Sequence, residues 1–508
     1  MKTNWIDSTI EYFDPAAGTR RRKHRMASEH LQVLERKYEA AAKGVRTDGW
    51  VTVGGTGGSA NSEIGPALHL VRDRARDLCR NNPYATGGVG SIVSNSVGTG
   101  IICQPFSSDQ SKADRALTLW RKWSESIDCD ADGLHDFNGL QNLAFRSMVE
   151  GGEALVVRRW RKTNAGYKIP VPFQVQVLEG DYIDTAKSFE VGQSGGYILQ
   201  GVEFNAVGRR VAYWLFDRHP GEAITVNGKS SLVSKRVDAK DIIHLFRADR
   251  AGQVRGIAWA APCILRLKDF DLFEDAVNMR MQIAACFSAF VGDIEAPAEA
   301  GGAKSSLSDK LSPGAIEILP PGKTITFPNL PTAQDDGHSI RMLRSIAKGL
   351  GISYEVLSGD YSNVNYSSGR MGWIEMHRNI ESWRWITFIP RMCNPVYAWF
   401  QEAASLVGQS MDDVLPLWTP PKREMIDPTK EIPAERDAVR SGFKSLSESI
   451  RESGRIPSEV FKEMAKDAET INGLGLVLDT DPSKMARGGN AQPVQNDPAQ
   501  TGAGDTNA

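Results

Sequence analysis

Three cations at helical spacing are the residues whose chemistry is easiest to name. Arg341, Arg344 and Lys348 lie at positions i, i+3 and i+7, and on a helix this spacing puts all three on one face. Leu343 and Ile346 lie elsewhere around the same helix and can pack inward. Such a face is ordinary on a soluble protein. Repeated by rotational symmetry, it would form a positive belt that contacts phosphates weakly and reads no bases.

A polar segment, SGDYSNVNYSSG at 358–369, follows this helix and is called the polar loop below. Gly, Asn, Asp and Ser favour turn geometry, so the segment is predicted to be a loop between two helices. Several of its side chains and one just after it could contact a sugar-phosphate backbone or a neighbouring loop, although a plain surface loop is the alternative. These side chains are Tyr361, Asn363, Asn365, Tyr366 and Arg370.

The sequence contains no convincing nucleotide-binding motif. Gly-Lys-Ser begins at Gly228 and Gly-Lys-Thr begins at Gly322. A phosphate-binding loop needs another Gly five residues before the Gly-Lys pair, and those positions hold Ala223 and Glu317. We therefore expect no ATP site.

Metal and catalytic sites are also not expected. The eight His are dispersed and form no HExxH motif, and the six Cys form no CxxC pair, so neither a zinc site nor a disulfide framework is predicted. The cysteines are interpreted as small buried residues. We expect no cofactor, no metal, no catalytic residue and no enzyme activity.

Composition describes an ordinary globular chain. Its 508 residues suggest two to four folding units, and 41% hydrophobic residues can form a real core. The net charge of −2 gives no bulk attraction to nucleic acid. No apolar run is long enough for a membrane span.

A basic run lies near the start of the chain. The simplest interpretation is a solvated arm, and the alternative is a contact to nucleic acid or to an acidic partner. Its cations are Arg20, Arg21, Arg22, Lys23 and Arg25.

Periodicity predicts the elements that position these residues. Helices are expected at 64–81, 112–126 and 139–150, followed by strands from Glu153 to about Leu245 with a hairpin at Asn205–Arg209. A long helix is then predicted to reach Val291. Further helices are expected at 332–348, 367–406 (kinked at Pro390 and Pro395), 434–450 and 458–468, and disorder from 479.

Two motifs resemble tailed-phage portal proteins of the lambda family. Residues 349–370, GLGISYEVLSGDYSNVNYSSGR, are similar to a Gly-Leu-Gly-(Ile/Val)-Ser-Tyr-Glu-x-Leu-Ser run. In that family this run precedes a loop at the narrowest part of a DNA-conducting ring. The segment 72–85, which contains RDLCRNNPYA, is the second point of resemblance. The motif-level resemblance spans about 65–405, is most specific at these two segments and is weak in the arm, the clip and the tail.

The resemblance implies an α+β, portal-like fold with long stem helices, a β-rich wing subdomain, a clip excursion and a helical crown. The implied parts are an N-terminal arm and helix (1–63), wing (64–257), first stem helix (258–291), clip (292–331), second stem helix (332–357), channel loop (358–369), long wing helix (370–415), crown (416–478) and disordered tail (479–508).

The resemblance also implies a function. It predicts a homo-oligomeric ring, usually a dodecamer, at one capsid vertex of the virion, assembled in the host cytoplasm. Implied partners are the terminase large subunit, the major capsid protein and scaffold, a head-tail adaptor and non-specifically bound double-stranded DNA, with no membrane. Two alternatives stay open at this point: a capsid or connector protein without a channel, and a metal-dependent nuclease or protease.

Overall fold

A computed structural model describes residues 59–161, 169–191, 195–222, 233–286, 337–422, 424–425 and 427–476. Several predicted features lie outside these residues, namely the N-terminal arm and helix up to 58 with the basic run from Arg20 to Arg25, the end of the long helix at 287–291, the clip at 292–331 and the tail from 479. Within the described residues, no helix is both long enough and apolar enough to cross a bilayer.

The described chain begins with a helical part that contains one short strand. Asn82 separates the first two helices, and its side chain accepts a hydrogen bond from the backbone N–H of Ala85 at 2.8 Å, which caps the second helix. That second helix was not predicted, because its Gly- and Val-rich sequence shows no helical period. The elements are α1 (Ala60–Asn81), α2 (Pro83–Ser96), β1 (Ile102–Phe106), α3 (Gln110–Ser124) and α4 (Phe137–Gly151).

The predicted strand region forms two sheets rather than one block. The antiparallel order of the first sheet is β3-β2-β9, and that of the second is β4-β5-β6-β7-β8. The predicted hairpin is confirmed, since Gly208 N–H donates to the Asn205 carbonyl at 2.9 Å between β6 and β7. The strands are β2 (Glu153–Trp160), β3 (Phe173–Glu179), β4 (Phe189–Val191), β5 (Gly196–Leu199), β6 (Val202–Phe204), β7 (Arg210–Leu215), β8 (Lys235–Asp238) and β9 (Ile242–Phe246).

Strand β2 is buried on both faces because it lies between two cores. Ala154 and Val156 face the main core, which the helices form, whereas Leu155 and Val157 face a smaller core beneath the second sheet. Successive side chains of a strand point to opposite faces. A strand covered on both sides is expected to be apolar at consecutive positions, and this is the pattern of its middle part, ALVV at 154–157.

Long helices form the second half of the chain. The predicted helix from 367 to 406 is present from Tyr366 to Leu406, and its middle part is a π-helix in which Asn394 N–H bonds to the Ile389 carbonyl, five residues back. This wider turn accommodates Pro390 inside the helix. The helices are α5 (Ile264–Cys286), α6 (His338–Leu350), α7 (Tyr354–Ser358), α8 (Tyr366–Ser382), the π-helix (Trp383–Cys393) and α9 (Asn394–Leu406).

The C-terminal part corrects one prediction. The single helix expected at 434–450 is two helices, because Gly442 adopts a left-handed φ of 75° and Ser445 caps a new helix by accepting from Glu448 N–H at 3.1 Å. Before these helices, residues 415–419 form a strand that pairs with β1. The elements are β10 (Leu415–Thr419), α10 (Pro428–Arg440), α11 (Leu446–Glu452) and α12 (Pro457–Gly473).

A buried carboxylate, Glu153 at the start of β2, is bonded to residues of α1, β9 and the segment before α5. It accepts hydrogen bonds from Arg72 at 2.6 Å, His244 at 2.9 Å and the backbone N–H of Gly256 at 3.0 Å, and Arg255 forms an ion pair with it. Burial alone would raise the pKa of Glu153, but the two guanidinium groups and the imidazole N–H hold it well below the usual value. Burial lowers the pKa of His244 to about 4, so a neutral imidazole donates to a charged carboxylate.

Candidate nucleic-acid interface

The cations of α6 share the exposed face that their spacing predicts. Arg341, Arg344 and Lys348 are exposed, while Leu343 and Ile346 are buried in the main core. The helix is strongly amphipathic, so packing of its apolar side against the core fixes the direction of the cationic side. The exposed face of α6 therefore presents side chains that can contact phosphate.

The three cations differ in how free they are to bind an external anion. The Lys348 ammonium lies 2.5 Å from Glu375 on α8, and this hydrogen bond lowers the pKa of Glu375. The Arg344 guanidinium lies over the ring of Tyr354, 5.4 Å from its centroid, an arrangement that keeps its charge. The Arg341 guanidinium contacts no acidic group among the described residues. Positive charge is therefore most available at the two arginines.

The first glycine of the GLGIS segment allows α6 to end against the start of α5. A Cβ on Gly349 would lie 2.2 Å from the sulfur of Cys263, closer than real contacts allow. The second glycine, Gly351, ends α6 with a left-handed φ of 78°. Ser353 then caps α7 by accepting from Val356 N–H at 3.3 Å. These residues set where the cationic helix stops and the next element starts.

The apolar residues of the same segment anchor it to α2. Gly88 lies beneath Leu350, Ile352 and Leu357, since a Cβ there would be 3.0 Å, 3.7 Å and 3.2 Å from their terminal methyl carbons. All three side chains belong to the main core. The polar loop that follows thus starts from a rigid support.

Asp360 organises the first half of the polar loop. Its carboxylate accepts from the Tyr354 hydroxyl at 3.0 Å, and from the backbone N–H and hydroxyl of Ser362 at 3.0 Å and 2.6 Å. The Ser362 hydrogen bonds, together with that from Tyr354, lower the pKa of Asp360. Tyr361, whose side chain is 61% exposed, and Asn363, which is also exposed, stand at the tip.

The second half of the polar loop is shorter than predicted, because α8 begins at Tyr366. The Asn365 side chain caps this helix by accepting a hydrogen bond from Ser368 N–H at 2.8 Å. The Ser368 hydroxyl in turn accepts a hydrogen bond from Asn365 N–H at 3.1 Å. Arg370 donates to the Tyr366 hydroxyl at 3.2 Å, and the Lys430 ammonium lies 5.0 Å from the Tyr366 ring centroid.

The candidate residues therefore fall into two groups. Arg341, Arg344, Tyr361 and Asn363 point at solvent from a fixed scaffold, whereas Asn365 is a helix cap. Tyr366 contacts both Arg370 and Lys430 of α10, and Lys348 is paired with Glu375. The sequence could not show the α10 contact, because Lys430 lies 64 positions along the chain from Tyr366, although the Asn-x-x-Ser cap was visible in it.

One acidic group elsewhere has the spacing of metal ligands. Donor atoms of Glu179, Asp181 and His219 lie within 4.8 Å of one another. Arg76 already bridges the two carboxylates at 2.9 Å and 2.7 Å, so a guanidinium supplies the positive charge there. We assign no metal to this group.

Comparison with known proteins gives a family and several distant relatives. The family model described as phage portal protein, lambda family, matches residues 43–384. The probable portal protein of Halomonas phage phiHAP-1 is 24% identical over 474 residues, which cover 87% of this chain and 88% of the relative. Portal protein B of Escherichia phage lambda is 21% identical over 491 residues, covering 82% and 87%.

A solved structure also resembles this chain. It is a chain from the neck of a native GTA particle, with 16% sequence identity and a TM-score of 0.39, and the match covers 75% of this chain and 93% of that chain.

Proposed function

The chain belongs to the lambda family of phage portal proteins, and from this premise we propose that copies of it close around an axis into a ring, a dodecamer, at one vertex of the capsid. In this ring the exposed face of α6 and the tip of the polar loop line a hole that conducts double-stranded DNA. DNA passes inward during packaging and outward during ejection.

One observation carries this proposal. Two guanidinium groups without an acidic partner among the described residues and an uncharged loop tip are both exposed on a segment that is anchored to the main core. Arg341 and Arg344 can contact phosphates, and Tyr361 and Asn363 add polar contacts without charge. Binding that neutralises many phosphates is tight and strongly salt-dependent. A surface with few free cations, on a chain of net charge −2, favours passage of DNA over retention.

The same proposal assigns parts and partners. Residues 64–257 form the wing, 258–291 and 332–357 the stem helices, 358–369 the channel loop and 416–478 the crown. The ring sits in the virion after assembly in the host cytoplasm. It contacts the major capsid protein and scaffold, docks the terminase large subunit during packaging and then binds a head-tail adaptor. The chain has a structural role, and the terminase supplies the ATP hydrolysis.

Electron microscopy of the purified, negatively stained chain tests the proposal. We expect rings with a central hole, with the same number of subunits in most particles. A monodisperse monomer at all protein concentrations, or closed particles without a hole, would overturn it.

A further inference from the structure

Helix α12 turns its polar side toward its own chain. Glu459 forms an ion pair with Arg121 of α3, the Ser458 hydroxyl accepts from Gln104 of β1 at 3.1 Å, and Lys462 lies 3.9 Å from Asp114. Helices of soluble proteins usually bury the apolar side instead. The arrangement leaves the apolar side of α12 pointing away from the other residues that the structure describes.

That apolar side is a continuous stripe. Phe461, Met464, Ala468 and Ile471 follow one another at intervals of three, four and three residues, which places them along one face. Phe461 is 41% exposed and Met464 is 54% exposed. We call these four residues the α12 stripe. A stripe at this spacing is the seam by which helices pack on each other.

A second exposed apolar surface lies at the turn between α10 and α11. Phe443 is 88% exposed and Leu446 is 51% exposed, and neither α10 nor α11 has a buried residue. These helices have 13 and 7 residues, and isolated helices shorter than about 12–15 residues are marginal in water. Contacts from outside the chain would stabilise them.

The two surfaces carry complementary charges. Arg440 stands three residues before Phe443, and its guanidinium has no acidic partner within the described part of the chain. Asp467 stands at one edge of the α12 stripe, and its carboxylate has no cationic partner among the same residues. A cation beside one apolar surface and an anion beside the other favour their pairing.

We propose that the α12 stripe of one copy packs on the α10–α11 turn of the next copy. The two surfaces are different patches of one chain, so the contact is head-to-tail and propagates around a ring until it closes. A second copy of the chain is the partner that both surfaces fit. One surface is apolar with a cation beside it, the other is apolar with negative charge beside it, and every copy carries both surfaces. This inference rests on the proposed ring and names a contact that holds it.

Two matched variants test the contact. Met464→Glu puts a charge in the stripe, whereas Thr470→Glu makes the same charge change on the polar side of the same helix. Both side chains are exposed, so both variants should fold, which circular dichroism checks. We expect Met464→Glu to raise the concentration at which rings dissociate by at least about tenfold, as removal of one buried apolar side chain would, and Thr470→Glu to change it less than about twofold. Equal effects would overturn the contact.

A mixing experiment identifies the partner. Chains carrying only Leu446→Cys and chains carrying only Met464→Cys are co-assembled and treated with a short bismaleimide. Covalent dimers that form in the mixture and in neither chain alone support the proposal. If rings form from the mixture but no such dimers appear, the proposed contact is wrong and the proposed ring still stands. If the unaltered chain forms no rings, the proposed function fails, and this inference fails with it.

Discussion

The α-carbon of Gly349 packs against the sulfur of Cys263 so closely that a Cβ there would lie 2.2 Å from it. Cys263 immediately precedes α5, and its thiol also donates to the carbonyl of Ile346 at 3.4 Å. This contact joins the start of one long helix to the end of another. It determines where the cationic face and the polar loop lie relative to the main core.

We expect Gly349→Ala to destabilise the protein by about 1–3 kcal/mol, because overpacking forces neighbouring groups apart. Urea unfolding measures this. Gly87→Ala is the matched control, since nothing lies within 4 Å of a Cβ at that helical position, and it should be neutral or slightly stabilising. In the double variant with Cys263→Ala, part of the stability should be recovered. Similar effects of the two glycine variants, without recovery, would show that the contact is unimportant.

Arg341 and Arg344, which form no ion pair within the described residues, should contribute more to DNA binding than the paired lysine, Lys348. Changing Arg341 and Arg344 together to Gln should lower the salt dependence of DNA binding to rings, with a slope change of about 1 for each phosphate that is no longer neutralised. Lys348→Gln should change it less, since Lys348 is already paired with Glu375. Affinity for duplex DNA measured across a range of salt concentrations tests this. A larger effect of the lysine change would contradict the assignment.

Residues at the tip of the polar loop should affect DNA handling without affecting assembly. Changing Tyr361 and Asn363 together to Ser should leave the unfolding free energy and the rings intact, and should reduce packaging or retention of DNA. Asn365→Ala is the contrasting variant, because it removes a helix cap and should cost about 1 kcal/mol of stability. Loss of rings in the tip variant would mean that these two residues serve folding instead.

Stability should fall as the pH is lowered from about 6.5 toward 4. The pKa of His244 is lowered to about 4 in the folded protein, so over this interval the unfolded chain binds the extra proton and the folded chain does not. The depressed pKa of Glu153 acts in the same direction below about pH 4.5, where the unfolded chain binds a proton at this carboxylate and the folded chain does not. The expected loss from His244 alone is about 3 kcal/mol.

Unfolding free energy as a function of pH tests this prediction. His244→Phe should flatten the slope between pH 4 and 6.5 and reduce stability at neutral pH, because Glu153 loses a hydrogen-bond donor. A His135→Gln variant changes a partly exposed side chain and serves as the control. An unchanged slope in His244→Phe would assign the acid sensitivity to other groups.

Residue patterns within single segments predicted the secondary-structure elements that depend on local spacing. The spacing of Arg341, Arg344 and Lys348 predicted that they share one face of α6, and all three are exposed there. The prediction was possible because a regular helix determines which residues lie on the same side. Alternating and β-branched runs gave the strands, and Asn205 with Gly208 gave the hairpin. The cysteines expected to be buried are buried at 79, 103, 129, 263 and 393.

Features that depend on interactions between distant residues were not predictable. Helix α2 forms although Gly87, Gly88 and Gly90 favour no helix, because its apolar residues pack in the main core. Glu153 is charged and fully buried only because Arg72 and Arg255 reach it from other parts of the chain. No periodicity within one segment contains that information.

In the proposed ring, Arg344 and Asn363 face the axis. A cryo-electron microscopy reconstruction of the purified full-length chain measures this directly. We predict a closed ring in which the exposed face of α6 and the tip of the polar loop line the central hole. A ring in which Arg344 and Asn363 lie on the outer surface, or a particle with no central hole, would contradict the account.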